Sequence, residues 1–332
     1  MLAVNSAPGE PASLGSPEAP LSTLAVVLQE PERLVLSRLH LTPPGDEDVV
    51  VDIEWSGIST GTERLLWSGR MPPFPGLGYP LVPGYESVGR VSAAGERAGR
   101  QVGERVFVPG ARCFGDVRGL FGGAARRLVV PGAKAVPFDD RLGEQGVLLA
   151  LAATAYHALA APGAGRPDLI VGHGVLGRLL ARLALAKGSD PVVWERNPER
   201  AAGAEGYRVV NPADDPRRDY RAIYDVSGDG ALLDTLIARL APGGEVVLAG
   251  FYSEPLAFAF PPAFMREARI RVAAEWRESD LAAVTELAET GRLSLAGLIT
   301  HRRQADEADA AYRTAFGDPA CLKMILDWRA CS

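Results

Sequence analysis

The residues with the clearest chemical meaning lie at the middle of the chain. Asp168-Leu-Ile-Val-Gly172-His173-Gly174-Val175-Leu176-Gly177 sets a GxGxxG pattern behind a short apolar run and at the mouth of a helical one. That arrangement suits a dinucleotide pyrophosphate. Gly172 makes the tight turn, Gly174 lets backbone approach the anion, and Gly177 lets helix and strand pack closely, while the helix N-terminus offers aligned N–H donors. Glu195 ends the next apolar run, close to the spacing of about 20 residues at which an acid meets the adenosine ribose. A carboxylate there repels a 2′-phosphate and favours NAD, whereas Arg196 and Arg200 directly after it keep NADP open. His173 has a bland reading as a side chain tolerated at a variable loop position. Further on, Ala222 to Gly228 (with Ser227) and Leu248-Ala-Gly250-Phe251 are strand ends expected to border the adenine-ribose and the nicotinamide.

These residues need a scaffold, and the pattern around them supplies one. After Val147, apolar runs of strand length (Leu169–Val171, Pro191–Trp194, Ala222–Val226, Glu245–Ala249) alternate with helical segments (Leu176–Lys187, Ala231–Leu240). This βαβ rhythm predicts a doubly wound parallel sheet of Rossmann type. Before it, Val51–Ser56, Arg90–Val91, Arg105–Val108 and Arg127–Val130 read as short strands between glycine turns, which predicts an irregular antiparallel β-barrel. Met71-Pro-Pro-Phe-Pro-Gly-Leu-Gly-Tyr-Pro80 cannot be helical, because its prolines fix φ and remove donors. The last 50 or so residues read as helix (Asp280–Thr290), strand-like Leu298–Thr300, helix (Ala305–Ala315) and a closing Leu322–Trp328. The expected division is a disordered tail at 1–22, a first segment of the catalytic domain at 23–157, a dinucleotide domain at 158–279 and a return segment at 280–332.

Composition narrows the function classes. With 332 residues, two domains are the default. A net charge of −6 argues against nucleic acid or an anionic lipid surface as partner. Three scattered cysteines fit a reducing cytoplasm better than a disulfide framework or a cysteine-rich zinc lobe. The N-terminus lacks the basic and apolar regions of a secretory signal, and no apolar stretch is long enough to span a bilayer.

Gly57-Ile-Ser59-Thr60-Gly-Thr62-Glu63, Gly84-Tyr85-Glu86-Ser-Val-Gly89, Gly103-Glu-Arg-Val106, Ala153-Thr-Ala-Tyr-His157 and Leu322-Lys323-Met-Ile-Leu resemble landmarks of the medium-chain dehydrogenase/reductase family. The resemblance implies a GroES-like barrel beside the Rossmann sheet and, for zinc members, ligands at three positions. Those positions read here Ser59, Tyr85 and, around Ala150, only Ala and Leu. Zinc takes thiolate, imidazole or carboxylate, so no zinc site is expected. Longer strings, Trp55 to Gly69, Met71 to Glu86, Gly172 to Arg178, Asp225 to Asp229 and Trp276, resemble a zinc-independent branch of that family acting on bacteriochlorins. This implies oxidation of a 3-(1-hydroxyethyl) group to 3-acetyl with hydride passing to NAD(P), and a dimer built through the cofactor domain.

The resemblance also implies roles. Thr60 and Thr62 lie in the segment matching the family's proton relay, with Glu63 beside them a further catalytic candidate, Tyr85 stands where a ligand is lost, and Lys323 is where a basic residue often faces the cofactor phosphates. Thr62, Tyr85 and His157 are the preferred relay, alkoxide partner and base. Each has a plainer reading. Tyr85 fills the space of the metal, Thr62 and Glu63 cap a turn, His157 is a core histidine, and Glu86 is structural. A flat substrate needs an apolar cleft, for which Trp67, Met71, Phe74, Leu77 and Tyr79 offer one wall and Phe251, Tyr252, Phe258 and Phe264 another. Arg64 and Arg70 suit either a propionate or open solvent. Two rival functions remain: a zinc-free NADPH-dependent quinone or alkene reductase, and a dinucleotide-binding protein without turnover.

Overall fold

The computed structural model describes residues 21–331. The expected tail falls outside that range except for Leu21 and Ser22, and Ser22 opens the first strand, Ser22–Glu30. Three sheets organise the chain. The longest strand of the second sheet, Asp48–Ile58, carries an apolar inner face at Val49, Val51 and Ile53, each fully buried. It pairs antiparallel with Ser87–Ala94, with Arg127–Pro131 and with the C-terminal strand Met324–Asp327. The chain therefore returns, after the parallel sheet, to complete the sheet that strand Asp48–Ile58 opened.

The six-stranded sheet is parallel throughout. Its spatial order is Arg208–Val210, Val192–Trp194, Leu169–Val171, Tyr220–Asp225, Leu240–Leu248 and Arg269–Val272. The first strand in sequence, Leu169–Val171, thus sits between neighbours reached in opposite directions. At its carboxyl end lies the switch point where open α/β sheets receive ligands. Helix Val175–Ala186 starts there. Helix Leu149–Ala160 packs on that helix and on Glu278–Glu289. The expected boundaries at 157 and 280 each fall inside one of these two helices.

Most expected elements form, with ends moved by a few residues. Leu298–Thr300 does not become a strand. Thr300 and His301 both donate their amides to the Lys323 carbonyl, so pairing starts only at His301, in His301–Gln304. The Met71–Pro80 segment is neither helix nor strand, as its prolines require.

Gly177 shows how closely the nucleotide turn is built. A Cβ at this position would lie 1.9 Å from the Gly172 carbonyl oxygen. Gly177→Ala must displace the turn, and we expect dinucleotide affinity to fall on the order of tenfold or more, about 1.4 kcal/mol. Titration calorimetry on folded protein checks this; an unchanged Kd contradicts it.

Candidate active site

Two regions meet the strand ends described above. The first is the glycine turn. Gly172 takes a φ of +105°, and a Cβ on Gly174 would meet nothing within 4 Å, so the backbone there is open to a ligand. The Glu195 carboxylate accepts the His173 amide at 3.2 Å and the Asn197 amide at 2.8 Å. It is thereby held at the edge of the turn. Arg196 lies 3.5 Å from Asp229, and Arg200 donates Nε to the Pro319 carbonyl at 2.9 Å.

His173 is a brace beneath the turn. Its side chain is buried, with Nδ1 2.6 Å from the Arg200 carbonyl and Nε2 2.8 Å from the Tyr207 hydroxyl. Burial pushes its pKa down to about 4, so it is neutral at physiological pH. Only its backbone remains for a cofactor. Arg178, a residue sequence reasoning did not single out, completes the brace by donating to the carbonyls of His173, Arg200, Ala202 and Gly203.

At the next strand end, Asp225 is buried and accepts the Ser227 amide and hydroxyl and, at 2.8 Å, the Tyr252 hydroxyl. Ser227 and Tyr252 are therefore turned toward Asp225. For Tyr252 this replaces the expected place on a substrate wall. Gly250 packs against Gly228, and Phe251 is exposed beside it.

The second region is built where strand Asp48–Ile58 ends. Ser59 Oγ and Tyr85 Oη are 2.6 Å apart, either one able to donate. The Thr62 side chain lies near enough to Tyr85 to pull the pKa of its phenol down slightly, and Thr60 is half-buried one residue past Ser59. Helix Thr62–Trp67 begins at Gly61 with no side-chain cap, and no bond from Thr62 caps the turn. Instead Glu63, fully buried, accepts the Ser59 amide at 3.1 Å and the Tyr312 hydroxyl at 2.7 Å.

Lys323 is a correction. It is buried, and Nζ donates to both carboxylate oxygens of Glu86, at 2.9 and 2.7 Å, and to the Ile58 carbonyl at 3.1 Å. An ammonium has three protons, and all three are committed here rather than to cofactor phosphates. Burial raises the Glu86 pKa, and Lys323 pulls it back down. Burial, with Glu86 as a nearby like charge, raises Glu63 to about 7. Burial and the two carboxylates hold the Tyr85 phenol well above its ordinary value, so it stays protonated.

His157 is not brought to this pair. Its Nδ1 lies 2.8 Å from Asp280, which also caps helix Glu278–Glu289, and no hydrogen bond among the described residues joins it to Thr62 or Tyr85. Of the expected apolar wall, Phe74 reaches the site through an unforeseen residue. Its ring lies 6.3 Å from Phe121, which lies edge-on to Tyr85 at 5.2 Å. Trp67 packs on Phe316 at 5.5 Å and Met71 is buried in the core. Tyr79 donates to the Leu66 carbonyl at 2.5 Å, tying the proline loop to helix Thr62–Trp67. Neither Phe121 nor Tyr312 is among the expected residues; the one local signal for Phe121 is its place in Gly119-Leu-Phe-Gly122, and Tyr312 carries none.

At the positions where the family resemblance places zinc ligands, Ser59 and Tyr85 bond one another and Ala150 is a buried methyl whose carbonyl accepts Thr154. This donor set does not fit zinc, which takes thiolate, imidazole or carboxylate.

Residues 45–140 match the alcohol dehydrogenase GroES-like domain. The chain is 60% identical over 316 residues to the 2-desacetyl-2-hydroxyethyl bacteriochlorophyllide A dehydrogenase of Cereibacter sphaeroides, covering 93% of this chain and 99% of that one. The Rhodobacter capsulatus protein of the same name is 59% identical, with the same coverage. The chain belongs to this bacteriochlorophyllide dehydrogenase group of the medium-chain dehydrogenase/reductase family. Its fold also matches that of an Escherichia coli alcohol dehydrogenase solved with NADH, at a TM-score of 0.78 and 22% identity over 92% of this chain and 99% of that one.

The Glu63 carboxyl has a stability consequence. Its folded pKa of about 7 exceeds the 4.5 of an ordinary glutamate, so the folded chain holds the proton more tightly than the unfolded one. That contribution is complete below the ordinary value and is lost as pH rises through about 7. Glu63→Gln has no charge to bury, so its melting temperature should gain on wild type between about pH 5 and about pH 8. Parallel melting curves across that range would contradict it.

Proposed function

We propose that this chain oxidises the 1-hydroxyethyl substituent of a bacteriochlorophyllide to an acetyl group, with NAD as hydride acceptor and without zinc. The identity of 60% to the Cereibacter sphaeroides enzyme across nearly its whole length carries the substrate assignment. The Ser59–Tyr85 pair carries the chemistry. In the reaction the carbinol C–H leaves as hydride and the O–H as a proton, forming C=O. Bound NAD supplies the carbon that accepts the hydride.

The remaining tasks fall to side chains. Two hydroxyls that share one hydrogen bond leave one O–H free, and this proton points at the substrate oxygen. Because the Tyr85 phenol stays protonated, the pair stabilises the developing alkoxide as a donor and does not act as base. Thr62, near Tyr85, and Thr60, two residues before it, are the hydroxyls assigned to hand the substrate proton on to bulk water, its final acceptor. His157 is left outside this relay by its bond to Asp280. Phe74 and Phe121 supply an apolar face for the macrocycle next to Tyr85.

NAD is favoured over NADP on charge. Glu195 stands at the ribose end of the turn, while Arg196 and Arg200 are drawn toward Asp229 and Pro319. No helix among the described residues is long and apolar enough to cross a membrane, and the cysteine count suits the cytoplasm as the working compartment.

A homodimer is part of this reading. Strand Arg269–Val272 is the last in its sheet, and Phe258, Phe260, Phe264, Met265 and Val272 are exposed around it. An unpaired edge flanked by apolar side chains is an aggregation hazard unless covered, and a second copy covers it by two-fold pairing.

The test follows purified protein with 3-(1-hydroxyethyl) bacteriochlorophyllide a and NAD. Reduced nicotinamide should grow together with a red shift of the long-wavelength pigment band. Tyr85→Phe should lower kcat on the order of 10²-fold with cofactor affinity kept, the effect of removing one oxyanion donor. Cofactor binding with a silent pigment spectrum would overturn the assignment and favour the reductase reading. For the dimer, sedimentation should show two copies that Met265→Glu separates; a monomeric wild type would refute it.

A further inference from the structure

The Ser59–Tyr85 pair is held from behind by a group with no part in the steps above. Ser59 is the first residue past strand Asp48–Ile58. Its amide donates to one Glu63 oxygen at 3.1 Å, and Tyr312, from helix Ala308–Gly317, donates to the other at 2.7 Å. Glu63 and Tyr312 are both fully buried. One carboxylate therefore joins the end of the central strand, the first turn of helix Thr62–Trp67 and the returning helix. The other titratable and charged groups that act on it are Glu86 and Lys323, and it acts in turn on Tyr85.

A serine whose amide is held has its Cα–Cβ bond aimed in one direction, and from there one of the staggered χ1 positions brings Oγ to Tyr85 Oη. We propose that Glu63 is a positioning residue for the oxidation, accepting the Ser59 amide and the Tyr312 hydroxyl together so that Ser59 Oγ is locked against Tyr85 Oη. The inference rests on the assignment of that hydroxyl pair to the reacting oxygen. Nothing in the glycine turn touches Glu63, so its loss affects the rate and leaves cofactor binding in place.

The first measurement needs no substrate. In full-length protein labelled with ¹⁵N-serine, the Ser59 amide is identified by its loss in Ser59→Ala. Its proton shift should follow the ionisation of Glu63 near pH 7 and should cease to titrate in Glu63→Gln. In the pigment assay, Glu63→Ala should lower kcat on the order of 10²-fold, the scale of a misplaced reacting group, with the KM for NAD unchanged. Tyr312→Phe should lower kcat less, and it carries the kinetic test if Glu63→Ala fails to fold. Glu63→Gln, which still accepts the amide, should restore part of the rate and flatten the pH profile near neutrality.

A Ser59 amide indifferent to pH, or Tyr312→Phe and Glu63→Gln matching wild type in kcat at every pH, overturns the proposal. A titrating amide in a wild-type protein inert toward the pigment overturns the functional assignment, and the catalytic role with it, while leaving the Glu63–Ser59 contact established.

Discussion

The structure around the site depends on one buried ion pair. Lys323 and Glu86 are withdrawn from water together, and the ammonium finds its third acceptor in the Ile58 carbonyl. Burying two charges is costly unless geometry and additional hydrogen bonds offset the lost hydration. Here the three protons of Lys323 meet three acceptors, and the carboxylate meets its cation with both oxygens. Removing either partner of such a pair leaves a charge stranded, at a cost of about 3–5 kcal/mol. The pair is also a long-range staple. It binds Lys323, just before the returning strand, to Ile58 and Glu86 at the end of strand Asp48–Ile58 and the start of strand Ser87–Ala94, so the C-terminal segment is fastened beside the proposed site.

Several local features follow from that constraint. Gly57 must lack a side chain, since a Cβ there would lie 2.2 Å from a Glu86 oxygen. Ser59 and Tyr85 flank the pair in sequence, one residue past Ile58 and one before Glu86, so the contact that fixes Lys323 also brings their hydroxyls together. Two carboxylates and one ammonium share the same dry volume. Burial, helped by the like charge of Glu86, keeps a proton on Glu63 near neutrality and on Tyr85 far beyond it.

What the sequence made legible was local, and what it concealed was distant. The GxGxxG turn and Glu195 could be found because their logic runs within one strand–turn–helix unit. The βαβ rhythm gave the parallel sheet for the same reason, although its spatial order appears only in the pairings. Lys323 was misplaced because a sequence shows a charge and not the acceptors waiting for it, one of which stands 265 positions away. Tyr312 went unseen since its bond to Glu63 spans 249 positions and its helix gives no hint of a buried polar target. His157 and Tyr252 were polar residues near the expected cleft. Each is claimed by a carboxylate, Asp280 or Asp225, whose own position depends on tertiary packing. Met71 went into the core, the commoner destination of large apolar side chains, and Trp67 packs half-buried against it.

In the proposed zinc-free reaction a hydroxyl pair stands where the family resemblance places a metal. A metal polarises the substrate oxygen strongly and lowers the pKa of what it binds, which a simple alcohol requires. A phenol and a serine hydroxyl supply only hydrogen bonds, so the reaction they support must ask for less. The proposed substrate meets that condition, because its product carbonyl is conjugated with a macrocycle and the developing C=O is stabilised as it forms. What the protein must add is geometry, with donors already aimed in a water-poor site so that no reorganisation is needed as charge develops. Backbone rigidity at Ser59, an aromatic face on Tyr85 and an ion pair holding both segments are what such a site needs once the metal's electrostatic strength is gone.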